Sequence, residues 1–411
     1  MKTMHTRCCI AGGGPAGMML GYLLARAGVD VVVLEKHADF LRDFRGDTIH
    51  PSTLQVMQEL GLLDAILDRP HDKARRLRVS ISGNEAVIAD FSGLRTACKY
   101  IAMMPQWEFL DFLRDHASPW PNFRLLLGAE AVDVVKEAGR IRGVRVEAVG
   151  EPMTIIADLV VGADGRRSRM RDAAGLAVRN LGAPIDVLWM RLPVMPGDPL
   201  ESGGHIDSGH FLAMIYRGDY WQCAYVIPKG GIEAVQGRGL DAFRAEIAGV
   251  APWLAARTQS IRSWDDVKLL SVTVDRLQRW WTPGLLCIGD AAHAMSPIGG
   301  VGINLAIQDA VAAANILAAP LADPGMTADQ LTPLLAQVEK RRLFPTRLTQ
   351  AAQLAIQNRL LKPVLEGERQ STLKTPWPVR LLNRLPALRV MPAYAVGIGV
   401  RPEHVRSPAL R

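Results

Sequence analysis

Residues 8–17, Cys8-Cys9-Ile10-Ala11-Gly12-Gly13-Gly14-Pro15-Ala16-Gly17, decide how the rest of this sequence is read. A short apolar run with strand character ends in a glycine turn, and residues 16–27 then carry helical spacing. Residues 29–34 form a second, β-branched run closed by Glu35 and Lys36. This is a βαβ unit with a G-x-G-x-x-G turn at its first bend. Gly12 permits the tight turn, Gly14 lets backbone N–H groups approach a pyrophosphate, and Gly17 allows the helix to pack closely on the strand. Pro15 and Ala16 open the helix, whose N-terminus favours an anion. Glu35, with Lys36 beside it, stands where a carboxylate accepts from ribose hydroxyls. The unit reads as a dinucleotide site, and it does not separate NAD from FAD because both carry ADP.

Outward from this unit, residues 51–67 have helical spacing, and residues 77–91 alternate with period two about a Gly83-Asn84 turn. A helix is expected over 106–116 and strands near Leu125, Val144 and Ile155. Residues 184–270 read as strand-rich, with a hairpin of 210–217 and 220–227 about Gly218-Asp219. A second strand-to-glycine turn falls at Leu285-Leu286-Cys287-Ile288-Gly289-Asp290, followed by an alanine-rich helix over 302–321. From Thr327 the chain reads as helical to Leu361, then broken at Pro363, Pro376, Pro378, Pro386 and Pro392.

Composition is that of an ordinary globular chain: 411 residues, 49% hydrophobic and 22% charged. The net charge of +7 is too small to announce a nucleic-acid partner. It is also local, because residues 341–411 hold thirteen basic and three acidic side chains while the rest of the chain is slightly acidic. Five cysteines without C-x-x-C spacing read as reduced core residues, which points to a cytoplasmic protein. The apolar stretch 8–34 is too interrupted by glycine, Arg26 and Asp30 for a signal peptide or membrane span. The nine histidines show no H-x-x-x-H or H-E-x-x-H spacing, so no metal is expected.

Two further segments carry a family resemblance. Asp158-Leu159-Val160-Val161-Gly162-Ala163-Asp164-Gly165-Arg166-Arg167-Ser168-Arg169-Met170-Arg171 is similar to the Asp-Gly segment of the FAD-dependent aromatic hydroxylases typified by para-hydroxybenzoate hydroxylase. Gly289-Asp290-Ala291-Ala292-His293, continuing Pro297-Ile298-Gly299-Gly300-Val301-Gly302-Ile303-Asn304, resembles that family's Gly-Asp segment and glycine-rich loop. The three motifs stand in the family's order over residues 5–345. The resemblance implies FAD as cofactor, NAD(P)H as transient reductant and dioxygen as co-substrate. It implies oxygen transfer from a flavin C4a-hydroperoxide, with the protein excluding water.

Position by position, the resemblance gives Asp290 the ribityl hydroxyls, with a helix N-cap as the structural alternative. Gly299, Gly300, Val301, Gly302 and Asn304 would face the pyrimidine end of the flavin, with Pro297 beside the ring. Arg45, in Arg45-Gly46-Asp47-Thr48-Ile49-His50-Pro51, would lie near the flavin and pyrophosphate, and Gln106 would contact the flavin side chain. Asp164 would serve FAD and the nicotinamide donor, or else be a turn aspartate. Arg171 would pair locally or bind the donor's phosphates, and His293 is expected to be structural. The implied fold is α/β: a Rossmann-like FAD-binding domain (1–75, 100–180, 272–345) interrupted by an antiparallel β-rich substrate domain (76–99, 181–271). A basic helical segment, 346–411, closes the chain.

Strand alternation puts His210, Leu212, Met214 and Tyr216 on one face of the insertion, with Trp221, Cys223 and Tyr225 sharing a face on the next strand. If that face lines the pocket, it suits a phenol or a polycyclic, quinone-like aromatic, with His210, Tyr216 or Tyr225 assisting deprotonation. Otherwise these residues form the sheet's packing core. A reductase of isoprenoid or quinone substrates and a non-catalytic flavin-bound protein are the alternatives. A halogenase lacks support because its W-x-W-x-I-P signature is absent. The tail interleaves apolar residues with Arg380, Arg384 and Arg389. Its prolines favour packing on the FAD domain or a dimer contact over a membrane surface, so a monomer or homodimer is expected.

Overall fold

The computed structural model describes residues 2–41, 48–199, 201–207, 209–366 and 375–410. Five parallel strands form its spine, in the order Leu285–Cys287, Met153–Gly162, Lys2–Ala11, Val31–Glu35 and Phe123–Leu127. The first strand is longer than its apolar core of 8–11 suggested, because Lys2 to Thr6 also pair with Met153–Gly162. An antiparallel hairpin, Ala129–Glu137 with Arg140–Ala148, extends from Met153–Gly162. Strands covered on both faces read as unbroken apolar runs, and Val31 to Leu34 are all buried. The helices Pro15–Arg26 and Gly302–Ala322 pack together on this sheet. Gly302–Ala322 is long and apolar enough to cross a membrane, yet most of it is buried in the core.

A second sheet has seven strands in the order Lys268–Leu270, Ile185–Pro193, Tyr220–Pro228, His210–Tyr216, Gly203–Asp207, Arg76–Ile81 and Asn84–Asp90. All neighbours are antiparallel except Gly203–Asp207 with Arg76–Ile81. Two distant stretches of chain therefore build one sheet. The region expected to be strand-rich also contains helices, Ile232–Gly237 and Leu240–Val250. Phe243 and Ile247 of the second helix cover one face of the sheet.

The long helix Ala328–Ile356 does not end where proline was expected to break it. It continues through a π-helical turn, Gln357–Leu361, into Lys362–Glu366, so Pro363 lies inside helical chain. A wide turn just before it resets the hydrogen-bond ladder, and proline is tolerated in the first turn that follows. A boundary at residue 345 falls within the long helix. Farther on, Trp377–Arg384 and Val390–Gly397 lie along the edge strand Asn84–Asp90. The chain then returns to the first domain, where the Leu410 N–H donates to the Arg26 carbonyl at 2.8 Å.

A buried ionic network ties these parts together. Asp309, on Gly302–Ala322, accepts from His293 Nε2 at 2.6 Å, from Arg342 Nε at 2.9 Å and from the Gly289 N–H at 3.1 Å. Arg342 also reaches Glu403, which Arg341 pairs at 2.6 Å. Burial pushes the Asp309 carboxyl up, but its His293 and Arg342 partners outweigh it and hold it below the ordinary range. Removing one partner of a buried pair strands the other charge, so Arg342→Ala should lower unfolding free energy by about 3–5 kcal/mol. Urea denaturation of the variant and parent checks this, and a loss below about 1 kcal/mol contradicts a structural role for the network.

Candidate cofactor and substrate site

Four parallel strands deliver their C-terminal ends to one edge of the sheet, the place where open α/β sheets bind ligands. Lys2–Ala11 leads into Gly12, Val31–Glu35 ends at Glu35, Met153–Gly162 leads to Asp164 and Leu285–Cys287 leads to Asp290. The glycine turn is shaped by contact at two positions and by space at the third. A Cβ on Gly12, at φ +112°, would meet the Ala163 carbonyl oxygen at 2.3 Å, and one on Gly17 would meet the Gly12 oxygen at 1.9 Å. A Cβ on Gly14 would meet nothing within 4 Å. Gly12 and Gly17 are thus fixed by packing, whereas Gly14 faces open space at the N-terminus of Pro15–Arg26. That is the cradle a pyrophosphate requires.

The acidic positions fit the same ligand. Glu35 accepts from the Gly13 N–H at 3.2 Å and the His37 N–H at 3.1 Å, beside the exposed Lys36. Asp164 accepts from the Met170 N–H at 3.1 Å through Oδ2, while its buried Oδ1 has no partner among the described residues. Burial pushes this carboxyl above its usual range despite the donors around it. It is a turn aspartate with an acceptor to spare. Asp290 makes no helix-cap hydrogen bond and instead pairs with Arg166 Nε at 3.1 Å, both side chains about one-third exposed at 32%. Arg171 pairs locally, with Asp172 and the Arg166 carbonyl. Gln106 starts the helix Gln106–Ala117 and is half-buried. Arg45 lies outside the described residues.

Pro297 leads into the turn Ile298–Gly300, where Gly299 and Gly300 adopt φ of +78° and +62°. Val301 is buried beneath it, and Gly302 begins the long alanine-rich helix. The sequence did not reveal what holds this turn. Asn304 spends its amide on protein: Oδ1 accepts from the His50 N–H (2.9 Å) and the Thr53 hydroxyl (2.8 Å), and Nδ2 donates to the Thr48 and Gly300 carbonyls. It positions the turn and has no amide capacity left for a ligand. From the other side, Gln353 donates to the Ser296 and Ile298 carbonyls, and Gln357 to the Ser296 hydroxyl at 2.7 Å. Glutamines at 350 and 353 on the long helix and at 357 in the π-turn that continues it, all buried, were the signal that could have found this clamp. His293 is buried against Trp280 and bound to Asp309, a structural position. His50 donates through Nδ1 to the Val396 carbonyl, and burial lowers its pKa to about 4, so it is neutral.

The strand residues offered either for substrate contact or for the sheet's packing core lie on the far side of the insertion. Leu212, Met214, Trp221, Cys223 and Tyr225 pack with Phe243 and Ile247, with Tyr216 at the margin. The Tyr225 hydroxyl sits 2.5 Å from His210 Nδ1 and donates to Glu246 at 2.9 Å. That face is the packing core, and His210, Tyr216 and Tyr225 are accordingly assigned no part in the chemistry. The opposite face carries Phe211, Ala213, Ala224 and Val226, which cluster with Ile298 of the glycine turn. Gln222 shares that face by alternation. It is 4% exposed, its Oε1 accepts from Arg217 Nε at 3.3 Å, and its Nε2 has no partner among the described residues. No group of three or more metal-ligating side chains occurs among the described residues.

Residues 5–352 match the family profile described as an FAD binding domain. The chain is 32% identical over 387 residues to the 6-methylpretetramide 4-monooxygenase of Streptomyces rimosus, covering 94% of this chain and 90% of that one. It is 27% identical to the rifampicin monooxygenase of Streptomyces venezuelae, over 73% of this chain and 61% of that longer protein. Among solved structures, PqsL, a probable FAD-dependent monooxygenase from Pseudomonas aeruginosa, superposes with a TM-score of 0.70 at 23% identity, covering 95% of this chain and 99% of its own. The OxyS anhydrotetracycline hydroxylase from Streptomyces rimosus gives 0.72 at 22%, over 96% of this chain and 76% of that one. At these identities the superpositions show the fold.

The difference between packed and open glycines has a direct consequence. Gly14→Val should fold with a melting temperature close to that of the flavin-stripped parent yet purify without yellow colour, whereas Gly17→Val should lose flavin and melt well below the flavin-stripped parent. Thermal unfolding and the visible spectrum of both variants check this, and a flavin-replete Gly14→Val protein contradicts the cradle.

Proposed function

We propose a function from one premise: the chain belongs to the FAD-dependent aromatic hydroxylase family. It is an FAD-dependent monooxygenase whose substrate is a phenolic or polycyclic, quinone-like aromatic small molecule. The observation that carries the reading is the convergence of the open Gly14 turn, the spare acceptor of Asp164, Asp290 and the Gly299–Gly302 loop beneath an apolar sheet face. FAD, reduced by NAD(P)H and reoxidised by dioxygen, supplies the oxygen-transfer chemistry when bound. The five cysteines are free and buried, in keeping with a cytoplasmic location.

The chain's own residues do the rest. Gly14 and the N-terminus of Pro15–Arg26 hold the pyrophosphate, and Glu35 takes the ribose. Asp290, which Arg166 pairs in the free protein, would accept from the ribityl hydroxyls. The N-terminus of Gly302–Ala322, kept in place by Asn304 and Gln353, presents its positive dipole end to negative charge on the ring system. Phe211, Ala213, Ala224 and Val226 exclude water from that space. Gln222 donates its spare N–H to a carbonyl or phenolic oxygen of the substrate, giving an otherwise apolar surface one orienting contact.

The purified yellow protein should oxidise NADH or NADPH faster when a suitable polycyclic phenol or naphthoquinol is added, with a product one oxygen heavier. Bound flavin without stimulated oxidation by any member of such a panel contradicts a monooxygenase and favours the reductase or binding alternatives. In Gln222→Leu, KM should rise roughly three- to tenfold with kcat little changed, because a hydrogen bond of ordinary strength is lost. An unchanged KM contradicts its role in recognition.

A further inference from the structure

We infer that residues 377–394 dock the protein on an anionic lipid surface. The helix Trp377–Arg384 buries none of its residues, although it lies along the edge strand Asn84–Asp90. Val379 and Leu382 are its half-buried positions. Trp377, Leu381 and Leu385, four residues apart, form a stripe that is 69%, 39% and 50% exposed. Met391 and Tyr394 follow at 66% and 52%. Single exposed apolar side chains are normal, but five large ones within eighteen residues make a surface that water disfavours.

Charge selects the occupant. Arg380 and Arg384 are exposed beside the stripe and have no acidic partner among the described residues, and no acidic residue occurs between 375 and 402. A second copy would bring arginine opposite arginine. An anionic bilayer supplies both the charge and the apolar depth, and exposed Trp and Tyr are side chains suited to its interface. The prolines at 378, 386 and 392 divide the segment into short helices without removing the stripe.

The same segment reaches the site. Val390–Gly397 exposes Met391 and Tyr394 on one side, while on the other Ala393 is buried and the Val396 carbonyl accepts from His50, next to Asn304 and the glycine turn. A lipid-dissolved aromatic would thus meet the protein where the tail walls the site. Docking itself does not depend on the proposed reaction, and the test reads binding rather than turnover.

Full-length protein should co-sediment with vesicles of phosphatidylcholine plus phosphatidylglycerol at low salt, and at least roughly tenfold less with phosphatidylcholine alone. The pair Trp377→Ser and Leu381→Ser should weaken this binding at least roughly tenfold, because two apolar side chains no longer transfer from water into the bilayer. Arg380→Gln with Arg384→Gln should remove most of the preference for the anionic vesicles. Because these side chains are exposed, all variants should retain the parent's thermal unfolding and flavin content. Failure of the parent to sediment with either vesicle overturns the inference, as does its binding an acidic protein or a second copy instead. Lipid binding that both double variants retain overturns it equally.

Discussion

The backbone of Gly17 presses so closely on the Gly12 carbonyl that no side chain fits between them, and Gly12 meets the Ala163 carbonyl in the same way. These two contacts bring the first strand, the first helix and the Asp164 loop to one point. They also aim the intervening turn outward, so that Gly14 borders open space instead of protein. Glu35, Asp164 and Asp290 are arranged around that turn because they follow neighbouring strands of the same parallel sheet. A side chain at either packed glycine would separate the layers on which this arrangement depends.

A second set of constraints keeps the opposite wall in place. The glycine turn at 299–302 has left-handed backbone at Gly299 and Gly300 and would be loose by itself. Asn304 binds it from within its own helix, Gln353 and Gln357 bind its approach, and Asp309 fixes the preceding Gly289 and His293. Such clamps matter because electrostatic stabilisation works only when donors are already in position. The tail completes this support, since Glu403 reaches both arginines of the long helix and Val396 holds His50. These interior contacts of the tail support the site, whereas those to Glu59, Asn315 and Arg26 fasten its end to the first domain.

The fold was legible where a local rule carries geometry. G-x-G-x-x-G, the βαβ alternation and the Gly218-Asp219 hairpin each specify their own structure within a few residues. Alternation on His210–Tyr216 separated the two faces of the insertion correctly, but period two cannot tell which face meets the helix Leu240–Val250 and which meets Ile298. That choice turned on a helix hidden in text read as strand. Asn304 was legible as part of a motif and not as a clamp, since its partners stand some 250 residues earlier in the chain. The Asp309–Arg342 pair joins two helices with no local signature, and Pro363 misled because a π-turn upstream changed its context.

The architecture separates two tasks that the reaction class requires. In the proposed reading the parallel sheet and its turns hold the cofactor, while an apolar sheet face with one spare amide meets the substrate, so the substrate can vary without disturbing the flavin. The most direct test of the account is a turnover of the flavin-loaded protein under labelled dioxygen in ordinary water, with the product weighed by mass spectrometry. A flavin monooxygenase leaves one labelled oxygen atom in the product and none from solvent. Product oxygen drawn from water, or a product that gains hydrogen and no oxygen, would contradict it.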